Sequence, residues 1–396
     1  MIEQIAIQNF KSFKDVSLKL GPMNIFIGAN ASGKSNFFDA LRVLQGIGYG
    51  FTFHEILDGK PKSATSEVWE GIRGGSRGVR FAFGDGTEST QLQVAGRLPK
   101  NSDCNFEFQI AFSAKGGWLR EERLSAAGNS IYDAAPGRKK NSFPSALCSR
   151  EGPTMTWFKL EEDRPVLIQM VRAGDSSAGE VAQALADMQR IDPLPAPLHA
   201  YSQAFKVKRM GEHGENFAAL LRVICDDPSM KDAYLSWLRE LRPHDVDDIG
   251  IAEGALGEPL VTMKERGRVL LAPSLSDGTL RFAALAAAFF QPDMPGIITI
   301  EEIENGIHAS RLRLLVELLR SQTAAGKTQV MVTTHSPVVL AWLKPEEYAT
   351  TFYCSRDEET GESRIVPLSE IPRFNEIVSK QSISDLFAEG WLEEAL

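Results

Sequence analysis

The order of apolar and polar residues changes rhythm several times along the chain, and each rhythm predicts a different element. Ile5 and Ile7 lead to Phe10, a short polar turn holds Lys11, Ser12 and Lys14, and Val16, Leu18 and Leu20 follow, the period-two pattern of a strand hairpin. The run Met23–Ile27 is short and apolar and reads as a buried strand. Phe37, Leu41 and Leu44 then recur at helical spacing, so the order there is strand, Gly-rich loop, helix. Period two returns between about residues 79 and 124, through Phe81 and Phe83, Leu92 and Val94, then Phe106, Phe108, Ile110 and Phe112, which predicts an antiparallel sheet.

Between about residues 125 and 152 the chain is rich in Ser, Ala and Gly and includes the basic stretch GRKKN at 137–141. This predicts a long surface loop whose cations form a solvated face. Helical patterns follow around 180–191 and from 216 to 241, divided by Pro193, Pro195 and Pro197. From Val261 the order becomes hairpin, a helix from Asp277, the strand IITI, a helix over 310–322 and the strand VMVTT, a βαβ unit that closes a core. Leu312, Leu315, Val316 and Leu319 share one face of its helix, and Gly326 is a stop signal.

Composition narrows the class. A chain of 396 residues with 43% hydrophobic and 24% charged residues can bury a sizeable core and is neither disordered nor fibrous. Its longest apolar stretch, from Phe282 to Phe290, falls far short of the about 20 residues a membrane-spanning helix needs. The start of the chain lacks the pattern of a signal peptide, so a cytoplasmic location is expected, with no membrane partner. Four cysteines without CxxC spacing argue against a disulfide framework and a structural zinc. The net charge of −9 means that contact with nucleic acid would need local basic patches, with Lys206, Lys208 and Arg209 or Lys264, Arg266 and Arg268 as candidates; solubility alone also accounts for such clusters.

Four short motifs carry chemistry. Gly28, Ala29, Asn30, Ala31, Ser32, Gly33, Lys34 and Ser35 spell GxxxxGK[ST] between the expected strand and helix, with Asn36 next. Glycines let backbone N–H groups curl round phosphate oxygens, and the helix turns its positive end to the same anion. Lys34 would reach the β and γ phosphates and Ser35 would ligate Mg²⁺; the other reading is an ordinary Gly-rich turn. Glu301 and Glu302 follow the strand IITI, where ligands of open α/β sheets bind: Glu301 as metal ligand and Glu302 to polarise the attacking water, or both as a solvated strand end. His335 follows VMVTT, one helix further on, and is expected near the γ-phosphate, although a histidine after a strand is more often structural. LSDGT opens the helix from Asp277 and by itself is a good helix cap.

In this order GANASGKS, LSDGT, IITIEE and TTHSP resemble the Walker A, signature, Walker B and switch-histidine motifs of ABC-type ATPases, in their RecF, SMC and OLD-like branch. The opening IxIxNFKSFKD and EEIENGIH are also similar to RecF-like AAA-type ATPases of bacteria, whose usual form is EEPENGLHP. Here Ile303 and Ala309 replace the two prolines, and Asp277 and Thr279 replace the central Gly and the Gln of the transporter signature LSGGQ. The resemblance implies an α/β fold, a P-loop NTPase of ABC-ATPase head type, with a mixed-sheet core, an antiparallel β subdomain and a helical insertion. It divides the chain into an ATPase lobe with Walker A over 1–125, a loop and helical insertion over 126–260, and a lobe with signature, Walker B and switch histidine over 261–396. The spacing of Lys34 and Ser276 exceeds what a transporter ATPase needs and is too short for the coiled-coil arms of SMC proteins. The chain after Pro337 is too short for the TOPRIM domain that OLD proteins append.

The resemblance further implies an enzyme that hydrolyses ATP slowly with Mg²⁺ and forms an ATP-dependent homodimer. Each nucleotide would lie between Walker A of one chain and Ser276 with Gly278 of the other. Lys34, Glu302 and His335 would act in hydrolysis, and Glu304 with Asn305 would form a D-loop across the dimer. Asn9, Phe10 and Lys11 would approach the base, and no Q-loop is assigned among Gln91, Gln93, Gln109 and Gln169, all of which fall in or at the ends of expected strands. Two outputs stay open: work on DNA in repair or recombination, and nucleotide-controlled binding of a partner such as a nuclease or toxin in an anti-phage system.

Overall fold

The computed structural model describes residues 1–60, 69–84, 89–98, 101–113, 119–135, 145–149, 155–161, 163–241 and 245–394. Two units share the chain. Unit 1 comprises Met1–Gly21, Phe26–Met188 and Thr350–Glu370, and unit 2 comprises Pro22–Ile25, Gln189–Ala349 and Ile371–Leu396.

In unit 1 the expected hairpin is β1 (Ile2–Phe10) and β2 (Phe13–Lys19), closed by the pair Phe10↔Phe13 and holding Ile5 opposite Leu18 and Ile7 opposite Val16. β3 (Met23–Ile27) is buried at every position and changes unit after Ile25. It leads into the helix α1 (Lys34–Gly48). Next come β4 (Thr90–Leu98), β5 (Asn101–Phe112), β6 (Leu119–Ala126), β7 (Asn129–Ala135), β8 (Ser145–Ser149) and β9 (Met155–Lys159). With the hairpin they form an eight-stranded antiparallel sheet ordered β2-β1-β4-β5-β6-β7-β8-β9. The described residues of the stretch expected to be a surface loop are therefore mostly strand: alternation survives in Tyr132 and Ala134, both buried, but Ala and Ser give it little apolar signal. The basic stretch 137–141 lies outside the described residues. Phe81 and Phe83 are not in a strand; Phe81 is buried in a turn beside Asn9 and Phe83 is exposed.

The long segment of unit 2 begins with the last residues of β10 (Met188–Arg190), and the unit holds a separate three-stranded antiparallel sheet, β11 (Val246–Glu253), β12 (Pro259–Glu265) and β13 (Arg268–Leu271). Its main sheet runs β10, β14 (Ile297–Ile300), β15 (Gln329–Thr334) and the start of β3. β14 and β15 are parallel, Ile297 opposite Gln329 and Ile300 opposite Val332, with the helix Leu312–Ala324 as crossover. That register leaves Thr333 and Thr334 beyond the end of β14, level with the residues that follow Ile300. The helical pattern over 216–241 splits into Phe217–Asp226 and Pro228–Leu241. Asp227 accepts from the Ser229 and Met230 amides at 2.9 and 3.1 Å, and Pro228 takes the first helical position, where a missing N–H costs nothing. Back in unit 1, β16 (Thr351–Arg356) and β17 (Ser363–Pro367) continue beside the end of β3, where Phe26 lies between Phe37, ring centroids 4.4 Å apart, and Phe352, at 5.0 Å. Among the described residues no helix is long and apolar enough to cross a membrane.

Candidate functional site

The phosphate-loop residues lie in unit 1 between β3 and α1. Gly28 has φ +149° and Gly33 φ +107°, conformations in which a side chain is strained. A Cβ on Gly28 would enter the Cys354 carbonyl, and one on Gly33 would come within 2.6 Å of the Ser363 hydroxyl. The loop is thus pressed against β16 and β17, which is why both positions are glycine. Ala31, at φ +64°, turns the exposed tip formed with Ala29 and Asn30. Lys34 and Ser32 are buried, and the Lys34 ammonium donates to the carbonyls of Gly28 and Ala29 at 2.8 and 2.7 Å. α1 starts with Gly33 as its cap and has no acidic residue in its first turn, so no side-chain carboxylate there offsets its positive end. Asn36 reaches Ser12 at 2.7 Å, joining α1 to the hairpin turn. Beneath the loop, burial pushes the Cys354 thiol up to about 12 despite the Lys34 charge, which makes it inert.

Lys11 does not lie open. Its ammonium meets Asp39 of α1 at 2.5 Å and the Arg73 carbonyl at 2.7 Å, while the Arg73 guanidinium meets Asp39 at 3.1 Å and the Ser35 carbonyl. Burial lowers the Lys11 pKa, against the pull of Asp39. Asn9 donates to the Ser89 carbonyl at 3.3 Å, and Phe10 is fully buried.

Glu301 and Glu302 emerge from β14 in unit 2 with different surroundings. Glu301 faces Arg190 at 3.3 Å, whose guanidinium also faces Glu212 at 3.3 Å. Glu302 has φ +48°, the left-handed region that residues other than glycine seldom adopt. Three contacts hold it: its amide donates to the Thr333 hydroxyl at 2.8 Å, the next amide, of Ile303, donates to the Thr333 carbonyl at 3.0 Å, and Asn305 donates to its carboxylate at 2.6 Å. The second carboxylate oxygen lies 3.5 Å from His335 Nε2. The His335 amide in turn donates to Glu304 at 2.5 Å. Ile303 stands where the resembled pattern has proline, and its N–H is used, a bond proline could not make.

The signature residues occupy another part of unit 2. Ser276 caps the helix Asp277–Ala287, its hydroxyl accepting from the Thr279 amide at 3.3 Å and pairing with the Thr279 hydroxyl at 2.8 Å. A Cβ on Gly278 would strike the Gly306 carbonyl, so the helix start packs directly on the segment after Glu304 and Asn305. In front lies a cavity of about 780 Å³, lined by Ser276, Gly278, Thr279, Gly306, His308 and Arg311 among others.

Residues 1–60 match the family described as "AAA ATPase domain", and residues 235–341 match the one described as "AAA domain, putative AbiEii toxin, Type IV TA system". A protein named ATP/GTP phosphatase from Helicobacter pylori is 22% identical over 379 residues, spanning 91% of this chain and 93% of that protein. A crystal structure of an Smc head bound to the C-terminal winged-helix domain of ScpA aligns with a TM-score of 0.53 at 15% identity, covering 92% of this chain and 96% of that one. An Smc head with an extended coiled coil, bound to the C-terminal domain of ScpA derived from Pyrococcus furiosus, aligns at 0.50 and 12%, covering 96% and 99%. The fold is that of an Smc-type head domain. The two AAA matches and the phosphatase relative support nucleotide hydrolysis as its coarse activity.

Within unit 2 the structure brings Glu302, His335, Glu304 and Asn305 together, and sets Ser276 and Gly278 beside Gly306. Sequence reasoning missed Thr333, which fixes the backbone of Glu302, and Arg190, which faces Glu301. Thr333 had a signal: it lies two residues before His335 on a strand expected to flank β14. Arg190 had none. Gln169 is in the helix Val166–Arg172, not a strand, and its side chain is occupied by the backbone of Glu161 and Arg164. Among the described residues no cluster of three or more His, Cys, Asp or Glu forms a ready metal site.

Proposed function

We propose that the protein is an ATPase whose two copies close head to tail on ATP and reopen after hydrolysis. The Glu302 carboxylate carries this reading, being held by a strained backbone and Asn305 with one oxygen toward His335. A carboxylate so fixed can orient a water for attack and accept its proton, and a neighbouring imidazole can contact the γ-phosphate. Lys34 and the start of α1, which has no acidic residue in its first turn, supply positive potential for phosphates, and Gly28 and Gly33 keep side chains out of the loop. By their motif positions, Ser35 and Glu301 are the residues that would hold a magnesium ion, which would neutralise charge on the phosphates. Ser276 and Gly278 are assigned to the γ-phosphate of the other copy's nucleotide, and Glu304 with Asn305 to the D-loop. That contact exists only while the phosphate is attached, which makes ATP the switch.

Replacing Glu302 by Gln should slow hydrolysis at least a hundredfold and trap an ATP-dependent dimer, while Lys34→Ala should abolish nucleotide binding. Light scattering with a fluorescent ATP analogue reads both, and a Glu302→Gln protein that binds ATP but stays monomeric would sink the head-to-tail reading.

For the output, action on DNA in repair or genome maintenance is one reading and control of a partner protein such as a nuclease is the other. The second is favoured by one observation: each candidate basic cluster is partly neutralised, Arg209 by Asp293 at 3.0 Å and Arg266 by Asp245 at 2.7 Å. The toxin-system description of the family matched at 235–341 points the same way.

A further inference from the structure

The signature segment carries an aspartate, Asp277, at the first position of a helix whose proposed task is to receive a phosphate. Of the first-turn amides, Thr279 is taken by the Ser276 hydroxyl and Leu280 by the Ser276 carbonyl at 3.0 Å. The amides of Asp277 and Gly278 are left for an outside acceptor. A carboxylate at this end stabilises the helix itself and repels any incoming anion. The fold has an answer close by. His199 Nε2 lies 2.7 Å from the Asp277 carboxylate, and His199 Nδ1 lies 2.8 Å from the Ala272 carbonyl. Carboxylate and carbonyl oxygens only accept, so a ring that bonds to both must donate from both nitrogens, and a ring in that form carries a charge opposite to that of Asp277.

His199 is delivered by the proline-rich segment. Pro195 opens a single helical turn, the His199 amide closes it on the Pro195 carbonyl at 3.1 Å, and Leu198 is buried beneath. Proline restricts the backbone that leads to His199, and the contacts with Asp277 and Ala272 set the ring. The titratable residues that line the cavity beside Ser276 and Gly278 are Glu265, His308 and Arg311. None of these has an ion pair with Asp277, whose salt bridge runs to His199.

We propose that His199 is a positioning residue of the signature site: by pairing with Asp277 it cancels the one negative charge at the helix start and lets Ser276 and Gly278 accept the γ-phosphate presented by a second copy of the chain. The inference rests on the head-to-tail reading above and explains how LSDGT serves where a glycine would be neutral.

The test uses the full chain in a Glu302→Gln background, with ATP affinity read by a fluorescent analogue and ATP-dependent dimerisation by analytical ultracentrifugation. His199→Ala should keep ATP affinity within about twofold and weaken the dimer about tenfold or more. Adding Asp277→Gly to His199→Ala should restore the dimer, and Asp277→Gly alone should dimerise more tightly than the parent. Should His199→Ala fail to fold, the single Asp277→Gly variant still decides the matter. A His199→Ala protein that dimerises like the parent, or a double variant no better than the single one, overturns the role of His199 and leaves the ATP dimer standing. A parent that binds ATP without dimerising overturns both.

Discussion

Glu302 shows how much of the chemistry depends on one backbone angle. A left-handed glutamate costs roughly 1–2 kcal/mol, and the Thr333 hydroxyl and carbonyl are what hold it there. Thr333→Val keeps the shape but removes the acceptor of the Glu302 amide. Turnover is expected to drop about tenfold with ATP affinity unchanged, and Thr333→Ser to recover most of it, as steady-state kinetics would read. A second residue speaks to stability. Glu122 in β6 is wholly buried and accepts from Tyr132 at 2.7 Å and from the Val166 and Leu167 amides at 2.8 and 2.6 Å. Burial raises its carboxyl to about 7 from 4.5, the three hydrogen bonds opposing. Between those two values the folded chain keeps a proton that the unfolded chain has released, so this contribution is complete below about pH 4.5 and is lost as pH rises toward 7. Denaturant melts from pH 4.5 to 7.5 should show stability falling across that window. Glu122→Gln should flatten the slope while lowering stability overall by about 1–3 kcal/mol, because its amide group brings donors against donors.

Among the elements, the signature helix is one that depends on close approach. Gly278 meets the Gly306 carbonyl where a methyl group would not fit. Gly278→Ala should therefore push the helix start from the segment after Asn305, costing about 1–3 kcal/mol and weakening ATP-dependent association, readable by thermal melts and light scattering. Other elements differ in how openly the chain announces them. β3 and β15 are apolar throughout and the crossover helix has a clear apolar face, so their patterns were unambiguous. β7 was hidden because small residues carry its buried face. The break at Asp227 and Pro228 had a readable cap-and-proline signal, yet the apolar period runs through it, and period alone suggested one helix.

For the whole molecule, net charge decides between outputs. With 52 acidic against 43 basic residues, and one arginine of each candidate patch paired with an aspartate, the overall field opposes a phosphate backbone. ATPase rate is expected to change less than twofold with duplex or single-stranded DNA at 150 mM salt; a large stimulation that weakens steeply with salt would favour the DNA reading instead.

The sequence by itself determined the strand-loop-helix around Lys34, the βαβ unit with Glu301, Glu302 and His335 at its strand ends, and the helix start at Ser276. These depend on local period, glycine and capping chemistry, which act over a few residues. Only the tertiary structure decided that Glu302 is left-handed on Thr333, that Arg190 faces Glu301, and that His199 answers the charge of Asp277. Those partners lie 31, 111 and 78 positions apart in the chain. No local pattern encodes such pairs, because a side chain meets them only once strand register and turn geometry have brought distant segments into contact.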